Sequence, residues 1–270
     1  MRQEVFSMLE VTAEATFVEI RGTRVEIIDR GKGLPLLFLH PGIGIDPAAP
    51  VLDHLANGAR LLAPSHPGFG RSELPRSFTT VDDLAYFYLD LLDALDLRDT
   101  IVVGVSLGGW IAAEMAVKST ERIAKLVLAD AVGIRVSDDP EISDIADIFA
   151  LPEKDFIALA YHDPANGTRD PNLPDAKVVA IARNLESTAR FAWQPYMHDP
   201  KLKGRLHRID VPTLLLWGAQ DRIVRPDYGR AYAAAIPGAR FALVDQAGHF
   251  PHLEQPDAFA CSVLSFAAEK

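Results

Sequence analysis

A chain of 270 residues with 49% hydrophobic and 24% charged side chains has the composition of a folded globular protein and excludes disordered, collagen-like and coiled-coil classes. Its 37 acidic against 27 basic residues leave a formal charge of −10, which argues against general affinity for nucleic acid or an anionic membrane surface. The lone cysteine, Cys261, forms no internal disulfide, no apolar run approaches the 18 or so residues of a membrane span, and the first ten residues lack a signal-peptide core, so a cytoplasmic location is expected.

Residues 16–21 and 24–28 read as the strands of a hairpin turning at Gly22. Four apolar runs follow at 34–39, 60–63, 100–105 and 123–129, and two more at 213–217 and 241–244. Their near-continuous Val, Leu and Ile content fits strands covered on both faces, with the amphipathic stretches between them as crossover helices of a parallel sheet. Thr80 is placed to cap a helix whose apolar residues Val81, Leu84, Tyr88, Leu91, Leu92 and Leu95 recur every three or four positions. Further helices are predicted over 107–118, 226–236 and 255–268.

Residues 133–208 break this alternation. They hold seven of the 19 prolines and no strand-like run, and read as several short helices broken at Pro152, Pro164, Pro171, Pro174, Pro195 and Pro200. Ten acidic against three basic residues up to Asp175, then two against seven, describe a solvated surface with complementary halves. Such an insertion sits most naturally over the C-terminal strand ends, where parallel sheets bind ligands. The expected organisation is a core of residues 1–132 and 209–270 with a helical cap of 133–208 between the sixth and seventh strands.

The sharpest local signal is Gly104-Val105-Ser106-Leu107-Gly108, followed by Gly109, where a predicted strand meets a predicted helix. Acyl transfer needs a serine hydroxyl projected from a tight, strained turn, and small residues two before and two after keep a Cβ from crowding the neighbouring backbone. The Leu107 amide then points toward a developing oxyanion, favoured by the helix N-terminus. Serine needs a base, itself oriented by a carboxylate. Asp221 follows the 213–217 strand and His249 the 241–244 strand, in the chain order serine, acid, histidine. Asp130, ending the sixth strand, is the rival acid. His252, one helical turn past His249, is the rival base, disfavoured because Gly248 directly precedes His249.

With His40-Pro41-Gly42-Ile43-Gly44, His66-Pro67-Gly68-Phe69-Gly70-Arg71-Ser72, Trp217-Gly218-Ala219-Gln220-Asp221 and Ala247-Gly248-His249, the chain resembles the α/β-hydrolase superfamily over essentially its whole length. The resemblance implies a mostly parallel, doubly wound α/β sheet with a helical cap between strands six and seven. It also implies a second oxyanion donor after the third strand, Gly42 first and Ile43 second, with His40 bracing that loop. The chain departs from the family pattern at Pro41, where Gly is frequent, and at His66, where Asp is common. Pro41 has no N–H and holds His40 extended, so the donor lies further along. Serine at position 106 instead of aspartate excludes the alkyl-ester chemistry of the dehalogenases and epoxide hydrolases of this fold.

Phe69, Trp110, Trp193, Tyr196 and Phe250 are candidates to line an apolar pocket, with core packing the alternative at Trp110. Arg183 and Arg190 fall on an expected cap helix. Related C–C bond hydrolases of meta-ring-fission dienoates use basic groups to hold a substrate carboxylate, and a surface ion pair is the alternative for each arginine. His66 borders the pocket in the loop reading, and His54, His162, His198 and His207 read as ordinary surface or hydrogen-bonded groups. No His, Cys, Asp and Glu spacing is zinc-like, so neither a metal nor another cofactor is expected. The expected activity is hydrolysis of a small, largely apolar ester through an acyl-enzyme. The alternatives are a C–C bond hydrolase and a ligand-binding or receptor protein on the same fold. The expected partner is a small-molecule substrate, with no nucleic acid and no membrane, and the chain is a monomer or homodimer.

Overall fold

The computed structural model describes residues 16–269 apart from 47, 140, 141 and 169, so the first ten residues and their expected lack of a signal lie outside the described residues. Strands β1 (Thr16–Ile20) and β2 (Thr23–Arg30) form the hairpin, turning through Arg21 and Gly22, both with positive φ. β2 pairs antiparallel with β4 (Arg60–Pro64). From β4 the sheet runs parallel through β3 (Pro35–Leu39), β5 (Thr100–Val105), β6 (Ile123–Ala129), β7 (Thr213–Gly218) and β8 (Arg240–Val244). β5 and β7 are buried at every residue, as cover on both faces requires.

Two apolar layers supply that cover. On one face pack α1 (Pro50–Ala56) and α8 (Pro256–Ala268), through Leu52, Leu55, Phe259 and Val263. On the other lie α2 (Val81–Ala94), α3 (Leu107–Lys118) and α6 (Pro226–Ala234), through Leu84, Tyr88, Ile111 and Tyr232. The Thr80 hydroxyl accepts from Asp83 N–H (3.4 Å) and the Asp83 carboxylate from Thr80 N–H (2.9 Å), so α2 begins with the expected cap in its reciprocal form. α1 leaves no periodic signature because seven residues make barely two turns. A separate α7 (Pro251–Glu254) precedes α8 and holds His252 in the core.

Between β6 and β7 the described residues contain α4 (Glu153–Ala160), α5 (Asp175–Ala192) and two short 3-10 turns, Pro164–Gly167 and Lys203–Arg208. α4 starts after Pro152 and α5 after Pro174, as ring-fixed backbone dictates. α5 runs for 18 residues, an exception to the short helices expected here. The parallel register pairs Leu39 with Gly104, Val105 with Ala129, Ala129 with Leu216, and Gly218 with Val244. Residues just beyond these pairs therefore emerge along one sheet edge, and the candidate site is built there.

Candidate active site

Ser106 sits between β5 and α3 with φ 52° and ψ −113°, a left-handed conformation that costs a non-glycine residue on the order of 1–3 kcal/mol. The surroundings enforce it. A Cβ on Gly104 would overlap the Gly108 carbonyl, and one on Gly108 would overlap the carbonyl of Leu39 on the neighbouring strand. The Ser106 N–H donates to Ala129 O (2.9 Å), while its carbonyl accepts from Trp110 N–H (3.1 Å) and Val132 N–H (3.3 Å).

His249 follows β8, its backbone N–H held by the Ala160 carbonyl at 2.7 Å. Its Nε2 lies 2.8 Å from Ser106 Oγ and its Nδ1 2.9 Å from Asp221 Oδ2. A carboxylate accepts only, so Nδ1 carries the proton and Nε2 is left as the acceptor for the serine hydroxyl. Asp221 Oδ1 accepts from Ile223 N–H (2.8 Å) and Val224 N–H (2.9 Å). These amides lock the carboxylate plane before the imidazole is met. Asp221 and His249 are buried, whereas Ser106 keeps partial exposure. His252 does not reach this group: it is buried beside Phe38, Phe250 and Phe259, and burial pushes its pKa down to about 3.

The N–H groups of Leu107, Gly42 and Ile43 at this edge find no acceptor among the described residues. Each is aimed by the opposite end of its own peptide, because a trans peptide sets C=O and N–H antiparallel. The Ser106 carbonyl is held as above. Pro41 O accepts from His40 Nδ1–H (2.7 Å) and Gly44 N–H (2.9 Å), which fixes the Gly42 N–H. The one proton of the Thr188 hydroxyl on α5 is shared between Gly42 O and Asn184 O, both at 2.8 Å, and its bond to Gly42 O orients the Ile43 N–H.

Behind this loop lies a buried pair that accounts for the departure at His66. His40 Nε2 accepts from the His66 backbone N–H (2.9 Å), and His66 Nε2–H donates back to His40 O (2.8 Å). His66 Nδ1 is therefore the acceptor for the Tyr88 hydroxyl. The two rings stack with centroids 3.6 Å apart. Burial pushes His40 down to about 4; burial and then the neighbouring His40 hold His66 well below the usual imidazole range. Two neutral rings with every proton assigned brace the loop. Tyr88 was legible only as an apolar helix position.

The other candidates divide. Phe250 stands against His249 at 5.0 Å, and Phe69 is buried between His40 and Phe191. Trp110 is buried against Gly133, Tyr196 donates its hydroxyl to Ala146 O (2.7 Å), and Trp193 is 56% exposed beside Phe149. Arg183 donates to Gly68 O (3.1 Å) and Ser72 O (2.6 Å), and Arg190 to Phe78 O (3.0 Å), so both guanidinium groups staple α5 to the 68–78 loop. Among the described residues neither forms a surface ion pair, their expected alternative.

Three α5 residues went unread in the sequence. Asn184 donates to Ile43 O (2.9 Å) and accepts from Gly70 N–H (3.0 Å), Ser187 donates to Gly68 O (2.7 Å), and Thr188 reaches Gly42 as described. All three are buried while Val178, Val179 and Leu185 of the same helix are exposed. That inverted pattern, polar residues at three- and four-residue spacing, was the available signal. Asp130 completes the site: a polar atom each from Asp130, Asp221 and His249 all lie within 4.8 Å of one another, a proximity that sequence spacing did not reveal.

The family model described as alpha/beta hydrolase fold matches residues 35–256. The 2-hydroxymuconate semialdehyde hydrolase of Pseudomonas sp. strain CF600 is 26% identical over 270 residues, covering 92% of this chain and 92% of its own length. Among solved structures, a variant of the meta-cleavage product hydrolase from Pseudomonas fluorescens IP01 superposes with a TM-score of 0.76 at 20% identity, covering 93% of this chain and 96% of that one. A thermophilic esterase from Thermogutta terrifontis does so with a TM-score of 0.70 at 23% identity, covering 93% and 98%. At these identities the two structures speak to fold alone. No helix among the described residues is long and apolar enough to cross a membrane.

Proposed function

The chain belongs to the α/β-hydrolase family and is an enzyme of that type, and from this premise we propose that it hydrolyses a small, largely apolar ester through an acyl-enzyme on Ser106. The observation that carries the reading is the continuous relay from Ser106 Oγ to His249 (2.8 Å) and on to Asp221 (2.9 Å), whose second oxygen is already bound by two amides. His249 takes the serine proton as Oγ attacks the ester carbonyl and returns it to the departing alcohol. Water then repeats the cycle on the acyl-enzyme. The amides of Leu107 and Gly42, with Ile43 as the alternative, receive the oxyanion charge. Residues 133–208 act as a lid on this edge, tied to the oxyanion and 68–78 loops by α5.

Engagement of Arg183 and Arg190 with backbone carbonyls favours a neutral ester, since binding a substrate carboxylate would require either to give up those bonds. A second reading, C–C bond hydrolysis of a ring-fission dienoate, draws on the similarity to the 2-hydroxymuconate semialdehyde hydrolase. Steady-state turnover of short p-nitrophenyl esters beside one such dienoate separates the two. Faster consumption of the dienoate would replace the first reading with the second. Tight binding with at most one turnover would instead favour a receptor.

A further inference from the structure

We propose that Asp130 is a positioning residue that keeps a proton and donates it in a hydrogen bond to the Asp221 carboxylate, so that the buried pair carries one negative charge. The inference rests on reading Ser106, His249 and Asp221 as a catalytic relay.

Asp130 follows β6 with φ 44° and is fully buried. Its Oδ1 accepts from Gly218 N–H at 2.8 Å, and its Oδ2 has no partner among the described residues. An ionised oxygen left there without a donor would lose its hydration uncompensated. The groups facing it are Asp221, His249 and, further off, Glu254, which accepts from Gly248 N–H. Two carboxylates this close do not both ionise readily, and the proton goes to the one with fewer donors. Asp221 has three, the amides of Ile223 and Val224 and the imidazole Nδ1–H, whereas Asp130 has one. Burial first, then the Asp221 charge, hold the Asp130 carboxyl well above the usual carboxylate range, and the Gly218 amide opposes them. Protonation turns the orphan Oδ2 into a donor, and the Asp221 carboxylate, within 4.8 Å of Asp130, is the acceptor to hand. The shared charge moderates how strongly Asp221 favours the imidazolium of His249, and the contact fixes the Asp221 plane from a third side.

Asn is the uncharged mimic: its amide accepts from Gly218 and donates to Asp221. Asp130→Asn is expected to keep kcat/KM within about threefold, with an unmoved acid limb of its pH profile. Asp130→Ala removes the donor; kcat should fall about tenfold with little change in KM, and the acid limb should move to higher pH. Infrared difference spectra of wild type minus Asp130→Asn at pH 8 should contain the carbonyl stretch of a protonated carboxylic acid, a readout independent of turnover. Absence of that band, or an Asp130→Asn loss as deep as that of Asp221→Asn, overturns the proposal. Should Ser106→Ala retain full activity, the relay reading fails, while the infrared band still reports whether Asp130 holds its proton.

Discussion

Which amide meets the oxyanion is decided by hydrogen bonds on the far side of two peptides. His40 and Gly44 hold the plane that carries the Gly42 N–H, and Thr188 holds the plane that carries the Ile43 N–H. Thr188→Val keeps the shape of the side chain and removes only the donor. With Gly42 as the working amide, kcat stays within about threefold of wild type; a loss of about 100-fold or more, the cost of a missing oxyanion donor, reassigns the role to Ile43. Ser106, Asp221 and His249 were legible in the sequence because each sits at a fixed offset from an apolar strand. The partners of Thr188, Tyr88 and Asp130 were not, because they lie between 22 and 146 positions away: the polar stripe of α5 marks Thr188 as inward-facing but does not say that it meets Gly42.

Among the elements, α5 differs most from its expected part. A helix that presents polar residues inward and valines outward belongs to a surface whose buried side is made of loop carbonyls. Its arginines are candidate substrate ligands by sequence, but their guanidinium groups meet Gly68, Ser72 and Phe78 instead. Arg183→Met is expected to leave KM for a neutral ester within about twofold and to lower stability by about 1–3 kcal/mol, the cost of leaving the Ser72 carbonyl without its donor while Gly68 O keeps the Ser187 hydroxyl. Urea unfolding and steady-state kinetics on one preparation check both. A tenfold rise in KM at unchanged stability would return Arg183 to the substrate. Strands were legible almost to the residue because central parallel strands are apolar runs bounded by turn residues. α1 and α7, at seven and four residues, are too short to show a period.

At the scale of the whole molecule, buried titratable groups set how stability follows pH. His40, His66 and His252 are held neutral by burial, His40 near 4 and His252 near 3, whereas unfolded histidine takes its proton near 6.5. Their contribution is complete above about pH 6.5 and is lost as pH falls, because only the unfolded chain binds those protons. Asp130 works in the opposite sense: folded, it keeps a proton that the unfolded chain releases near pH 4, so its contribution is lost as pH rises. Near pH 5 the unfolded chain therefore binds about two protons more through these four groups, and stability should rise by about 2.7 kcal/mol per pH unit toward pH 6.5. Urea midpoints measured from pH 5 to 7 should climb and then level. In Asp130→Asn the climb should steepen by about one proton, and a flat wild-type profile would contradict the burial of neutral rings.

The central claim is a covalent intermediate on one serine. Folded wild-type protein treated with a fluorophosphonate and digested for mass spectrometry should carry one adduct, on the peptide containing Ser106. Ser106→Ala should carry none and lose on the order of 1,000-fold or more in ester turnover while unfolding at the same temperature. An unlabelled Ser106 in folded protein, or near-full turnover by Ser106→Ala, would contradict it.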